Sequence, residues 1–345
     1  MRIFTTMKRL RLERRICCHP DAEAETSPFR AGSEGGWYNG DAMAAFPNPS
    51  ASWRLCARQT DDYGRGAALS EPVAAGHPQE MLALGEIAYA NCVPVQAPFR
   101  ARWGSAYRFA TGEPAEVNRM LAAGEVDCGP VSSIELARHP GRYQIVPNLA
   151  IAAAGEARSV LLLTPMQVAE LDGREVWLTP ASATSVVLLR ILLERFAGVT
   201  PRYRDGEPDE PHAPRLLIGD RAMAAAAAAP EGVAVVDLGT WWREATGLPM
   251  VFALWLLRSD TAARAPEACG ELTRRLAAAR DEGLASLDQL ARTHATATLP
   301  AERLSAYWRT LSYHLGPEEE AGLERFFELA KEVGVERASR PRGEG

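Results

Sequence analysis

Lysine is nearly missing from this 345-residue chain: lysine and arginine together number 38, and only Lys8 and Lys331 are lysines. Alanine is abundant, so the skew reads as a GC-rich coding bias and not as chemistry. No run of about 18 apolar residues occurs, which leaves no segment to cross a membrane as a helix. The six cysteines (Cys17, Cys18, Cys56, Cys92, Cys128, Cys269) form no CxxC pair, so neither a zinc site nor any other metal site is expected, and a reduced, cytosolic compartment fits. A GxSxG elbow, a P-loop, an HExxH helix and a GxGxxG after a strand are all missing, and no cofactor is expected. The six histidines have no carboxylate or cysteine at motif spacing. A formal net charge of −6 argues against nucleic acid or an anionic membrane as partner.

Apolar residues at 47% suffice for full cores, and the length suits about two domains. Residues 1–80 stand apart, with no sustained period of 2 or 3.6. Their basic opening, Lys8-Arg9-Leu10-Arg11, is followed by no apolar stretch of a secretory signal. They are either a disordered tail or a translated upstream region with the working start near Met81, and the second is the expectation.

Regular patterning begins at Leu82. It predicts strands over 82–89, 107–111, 126–131, 159–164, 175–179, 201–204, 216–218, 233–236 and 250–257. Helices are expected over Pro114–Ala123, Thr184–Phe196 and Ala222–Ala229, from Asp237 or Gly239 toward Thr246, and through most of the chain after Pro266. Strands alternating with helices imply an α/β protein with mostly parallel sheets. Two long apolar strands bracket a middle block. Residues 81–162 with 257–338 are therefore expected to form one domain and 163–256 a second, with a hinged cleft between them and the C-terminal helices returning to the first.

Two stretches look chemical. Gly85-Glu86-Ile87-Ala88-Tyr89-Ala90-Asn91-Cys92-Val93-Pro94 reads as a strand ending in a polar loop. Val126-Asp127-Cys128-Gly129-Pro130-Val131-Ser132-Ser133-Ile134-Glu135 reads as a strand followed by hydroxyls that open a helix. Strand ends facing a cleft are where open α/β proteins bind small polar ligands. Asn91 either holds a ligand hydroxyl or carboxylate or bonds its own turn. Ser132 and Glu135 fit a capping box, and Ser133 adds a second hydroxyl. Ser182, Thr184 and Ser185 crowd the start of another helix. Two such helix starts on one cleft suit a dianion without a lysine or arginine. Ser159 is either a strand-edge residue or a cleft residue. Asp220 either orients a ligand or caps the helix from Ala222, and Asp237 has the same two roles open to it.

From Leu82 to Val335 the chain resembles the chorismate dehydratases of the futalosine route to menaquinone. The resemblance rests on Tyr89-Ala90-Asn91-Cys92-Val93-Pro94, on Asp127 to Glu135, on Ser159-Val160-Leu161-Leu162 and on Leu178-Thr179-Pro180-Ala181-Ser182-Ala183-Thr184-Ser185. Leu217-Ile218-Gly219-Asp220, Asp237-Leu238-Gly239 with Trp241, and Gly247 to Ala253 complete it. It implies a two-domain periplasmic-binding-protein-like (type 2) fold used as a cytosolic enzyme. The implied reaction converts chorismate to 3-[(1-carboxyvinyl)oxy]benzoate and water. By resemblance Asn91 and Ser159 are active-site residues, and the hydroxyl-rich turns line the ligand pocket. The alternatives are the sister enzyme that forms 1,4-dihydroxy-6-naphthoate, for which no suitably placed histidine is found, and a non-catalytic small-anion binding protein of the same fold.

Overall fold

The computed structural model describes residues 81–334, so the expectations for residues 1–80 lie outside the described residues. In chain order the first segment forms β1 (Ala83–Ile87), α1 (Val93–Trp103), β2 (Arg108–Gly112), α2 (Pro114–Ala123), β3 (Cys128–Ser132), α3 (Ile134–Arg138) and β4 (Tyr143–Ala153). The second forms β5 (Val160–Thr164), β6 (Glu175–Leu178), α4 (Ala183–Ile191), β7 (Arg202–Asp205), β8 (Arg215–Ile218), α5 (Gly219–Ala227), β9 (Ala234–Asp237) and α6 (Leu238–Thr246). The described residues end with β10 (Met250–Arg258), α7 (Ser259–Arg264), α8 (Pro266–Ala285), α9 (Leu287–His294), α10 (Ala301–Trp308) and α11 (Pro317–Glu332).

These strands make two five-stranded sheets of one design. The first runs β2-β1-β3-β10-β4 and the second β7-β6-β8-β5-β9. In each, three parallel strands are followed by one antiparallel strand, β10 or β5, which also pairs antiparallel with β4 or β9 respectively. Four of the five strands in each sheet thus run one way, as expected of mostly parallel sheets, with a single antiparallel strand among them. The antiparallel strand is in each case the one the chain enters on crossing between sheets. Consequently β5 belongs wholly to the second sheet and β10 wholly to the first, which moves both crossings off the expected boundaries at 162 and 257. The crossings are instead the segments 154–159 and 247–249.

Each sheet has its own core. Val131, Leu254, Leu256 and Ile151 are buried in the first, and Leu162, Leu188, Leu192 and Trp242 in the second. Helix α11 does not return to the first core alone. Its Leu323 joins that core, while Phe326, Leu329 and Ala330 join the other.

Two elements are unannounced by periodicity. Strand β4 carries Pro147 and Asn148, which break its alternation. Asn148 has φ 53°, and the β4–β10 register shifts there. Proline and a bulge are tolerated because β4 is an edge strand. Helix α1 contains Pro94 in its first turn and Pro98 inside. Pro98 has no N–H for the Pro94 carbonyl, and α8 fills that place with Gly283. A Cβ there would lie 1.7 Å from the Pro94 oxygen.

Candidate functional site

Asn91 lies in a single 3₁₀ turn, Ala90–Cys92, between β1 and α1. Long-range partners pin its backbone. The Ala90 N–H donates to Asp220 Oδ1 at 3.1 Å, the Trp308 indole donates to the Ala90 carbonyl at 2.7 Å, and the Tyr313 hydroxyl donates to the Asn91 carbonyl at 2.9 Å. The Asn91 side-chain oxygen is buried without a hydrogen-bond partner. A buried acceptor left unpaired costs about 1–3 kcal/mol, so this atom is held ready for a donor that the protein does not supply.

Ser159 is the last residue of the first crossing, immediately before β5, and is 4% exposed. Its hydroxyl accepts from the Tyr307 hydroxyl at 2.8 Å and reaches the Ala157 carbonyl at 3.3 Å. Arg158, just before it, has φ 60°, in the left-handed region that non-glycine residues avoid. Asp237 holds that turn. Its Oδ1 accepts from Ala157 N–H (3.0 Å) and Thr240 N–H (3.0 Å), and its Oδ2 from Arg158 N–H (2.6 Å). Asp237 is thus the N-cap of α6 and a brace for the crossing. Burial raises its carboxyl above the usual Asp range, against the pull of those N–H groups.

Two dipeptides join the Asn91 and Ser159 turns. On one side the Gly219 N–H donates to the Ser159 carbonyl at 2.8 Å while Asp220 accepts from Ala90. Helix α5 starts at Gly219, three residues earlier than expected, so Asp220 sits in its first turn and does not cap it. Burial raises the Asp220 carboxyl as well. On the other side, Tyr307 and Trp308, the last two residues of α10, reach Ser159 and Ala90.

The hydroxyl-rich helix starts also meet. Ser133 Oγ lies 3.2 Å from Thr184 Oγ1 and donates to the Val251 carbonyl at 2.8 Å, and the Ile134 N–H donates to Thr184 Oγ1 at 3.2 Å. Ser182 caps α4 by accepting from the Ser185 N–H at 3.2 Å, and the two serine hydroxyls are 3.0 Å apart. The expected capping box at Ser132 and Glu135 does not form. Ser132 is the last residue of β3, Ser133 precedes a helix of only five residues, and Glu135 turns to Arg138 and His139. The box is lost because Ser132 stays in β3, paired with Ala253, and the Glu135 carboxylate is taken by Arg138 and His139. Ser132 contributes its N–H to Asn118 Oδ1 at 3.0 Å.

Direct contacts close the seam between the sheets. The Ala115 N–H donates to the Ala181 carbonyl at 3.1 Å, and the Tyr89 ring covers Gly219, while its hydroxyl donates to Glu113. Among the described residues no cluster of three or more His, Cys, Asp or Glu is placed to hold a metal ion, and no helix is long and apolar enough to cross a membrane. Tyr307, Trp308 and Tyr313 have no motif in the sequence. Their only signal is a polar tip on each large aromatic of a C-terminal segment, a tip that needs a partner when buried.

Solved structures share this architecture. A protein of Archaeoglobus fulgidus superposes with a TM-score of 0.57 at 18% identity, covering 75% of this chain and 100% of that one. A Candida albicans protein described as having the generic periplasmic binding protein fold superposes with a TM-score of 0.50 at 8% identity, covering 74% and 91%. The fold is therefore that of the two-lobed periplasmic-binding-protein-like proteins. Residues 82–332 match the sequence family described as menaquinone biosynthesis. The chorismate dehydratase of Thermus thermophilus is 36% identical over 264 residues, covering 71% of this chain and 93% of that protein. The chain belongs to this menaquinone-biosynthesis family.

Proposed function

We propose that the protein is a chorismate dehydratase, a cytoplasmic carbon–oxygen lyase that works without a cofactor. One observation carries the reading at the level of the site: the unpartnered Asn91 oxygen, on a turn whose backbone is fixed by three long-range hydrogen bonds. Kinship with the Thermus enzyme over most of its length supplies the reaction.

Chorismate is a dianion bearing one ring hydroxyl. Asn91 accepts from or donates to that hydroxyl, and Ser159 donates to it or to a neighbouring carboxylate. Ser133, Thr184 and Ser185 take the carboxylates once the seam parts and their mutual bonds are released, with Ser132 and Ser182 beside them. Asp220 borders the substrate while keeping Ala90 in place. The ring C–H at the carbon bearing the enolpyruvyl ether loses its proton, the neighbouring hydroxyl leaves as water, and the ring becomes aromatic. Aromatisation supplies the driving force, so the site's task is to hold the substrate in the geometry for elimination. The substrate's own enolpyruvyl carboxylate takes the proton and passes it to the departing hydroxyl, which leaves as water.

The Asn91→Ala variant tests this. Loss of a group that orients the leaving hydroxyl lowers kcat by roughly 10²–10³-fold with the fold retained by circular dichroism. Near-native turnover in that variant rejects the assignment.

A further inference from the structure

A serine hydroxyl has one hydrogen to give and two lone pairs to receive with. At Ser159 one lone pair is already taken, because the Tyr307 hydroxyl points at Oγ from 2.8 Å. Tyr307 is 2% exposed, in the cluster it shares with Ala90, Trp308 and Leu304. Burial pushes its ionisation well above the ordinary tyrosine range, so it remains a donor at every working pH. The Ser159 hydrogen is left with the Ala157 carbonyl at 3.3 Å, a long contact that is readily exchanged for a better acceptor.

We propose that Tyr307 is a positioning residue for the reaction: by donating to Ser159 Oγ it fixes that serine as a hydrogen-bond donor toward the substrate. Trp308, the next residue, donates to the Ala90 carbonyl, so the end of α10 sets Ser159 and the Asn91 turn together. A phenylalanine at 307 would fill the same volume. The hydroxyl is present for its bond to Ser159. This assignment rests on the chorismate dehydratase reading.

A double-mutant cycle in kcat tests it with Tyr307→Phe, Ser159→Ala and the two combined, each normalised to folded protein. Tyr307→Phe alone lowers kcat roughly tenfold, the scale of one buried hydrogen bond, and changes KM less than twofold. Added to Ser159→Ala it lowers kcat no further, because it acts only through that hydroxyl. Unchanged kcat in the single variant, or the same tenfold loss in the Ser159→Ala background, overturns the proposal. If the unaltered protein does not convert chorismate, the functional reading fails by itself. The positioning role is then decided by crystal structures of the unaltered protein and Tyr307→Phe. Ser159 spread over more than one rotamer in the variant supports the role, and a single unchanged rotamer overturns it.

Discussion

Asp237→Asn is the substitution that separates the brace from what it carries. The carboxylate receives three N–H groups, two on Oδ1 and one on Oδ2. An asparagine retains one acceptor. With its oxygen at the Oδ1 position it keeps Ala157 and Thr240, and its NH₂ then faces the Arg158 N–H, donor against donor. One charge-assisted hydrogen bond is lost, worth about 1.5–3 kcal/mol. The left-handed backbone at Arg158, φ 60°, carries ~1 kcal/mol of strain that is present in both proteins and does not add to this loss. The stability loss is about 2 kcal/mol, which lowers Tm by about 4–8 °C for a domain of this size. Ser159 follows Arg158 directly, so kcat falls at least tenfold as its hydroxyl leaves the Tyr307 partner. Thermal unfolding and steady-state kinetics on the same preparation read both effects. Arg158→Gly in the Asp237→Asn background relieves the strain and returns part of both losses; the Arg158–Glu156 pair it removes is exposed and worth little. An Asp237→Asn protein with unaltered Tm and kcat, or one that Arg158→Gly fails to improve, refutes the reasoning.

Gly219→Ala places a Cβ 2.7 Å from Tyr89 Cδ2 at a φ of 62°. The strain of about 1 kcal/mol and the displaced ring lower stability and part the seam, which small-angle scattering detects as a larger radius of gyration. Gly283→Ala puts its methyl 1.7 Å from the Pro94 carbonyl oxygen, so α8 cannot seat on α1, and the variant loses more than ~3 kcal/mol or fails to accumulate as folded protein. Asp220 titrates above its ordinary value chiefly through burial, so the folded protein holds that proton more tightly than the unfolded chain does. Its contribution is complete below the ordinary Asp value near ~3.9 and is lost as pH rises through the raised folded value. In urea unfolding from pH 4 to 7, the stability of the unaltered protein minus that of Asp220→Asn therefore falls as pH rises. A difference that grows with pH contradicts the assignment.

The legible parts of the fold are those with local causes. Helix α2 starts at Pro114 and stops at Gly124 as read from the sequence, because both signals sit inside it. β5 and β10 are visible as apolar runs, but their antiparallel entry into the sheets is set by topology, which no local pattern encodes. β4 and α1 are hidden by prolines that an edge bulge and a facing glycine accommodate. The capping box fails for a similar reason, since strand pairing keeps Ser132 inside β3, opposite Ala253 of a strand far along the chain. In the site, Asn91 and Ser159 are singled out by family resemblance, while their supports lie far along the chain. Tyr307 is 148 residues from Ser159, and Trp308 is 218 from Ala90. Such contacts become visible only once the helices after Pro266 have packed.

The central claim is most directly tested by incubating the full chain with chorismate and following the mixture by proton NMR. The account predicts loss of the ring diene signals and growth of a meta-substituted aromatic enol ether in stoichiometric yield, abolished by Asn91→Ala. Chorismate that binds and is recovered unchanged, or a protein that leaves it untouched, contradicts the account.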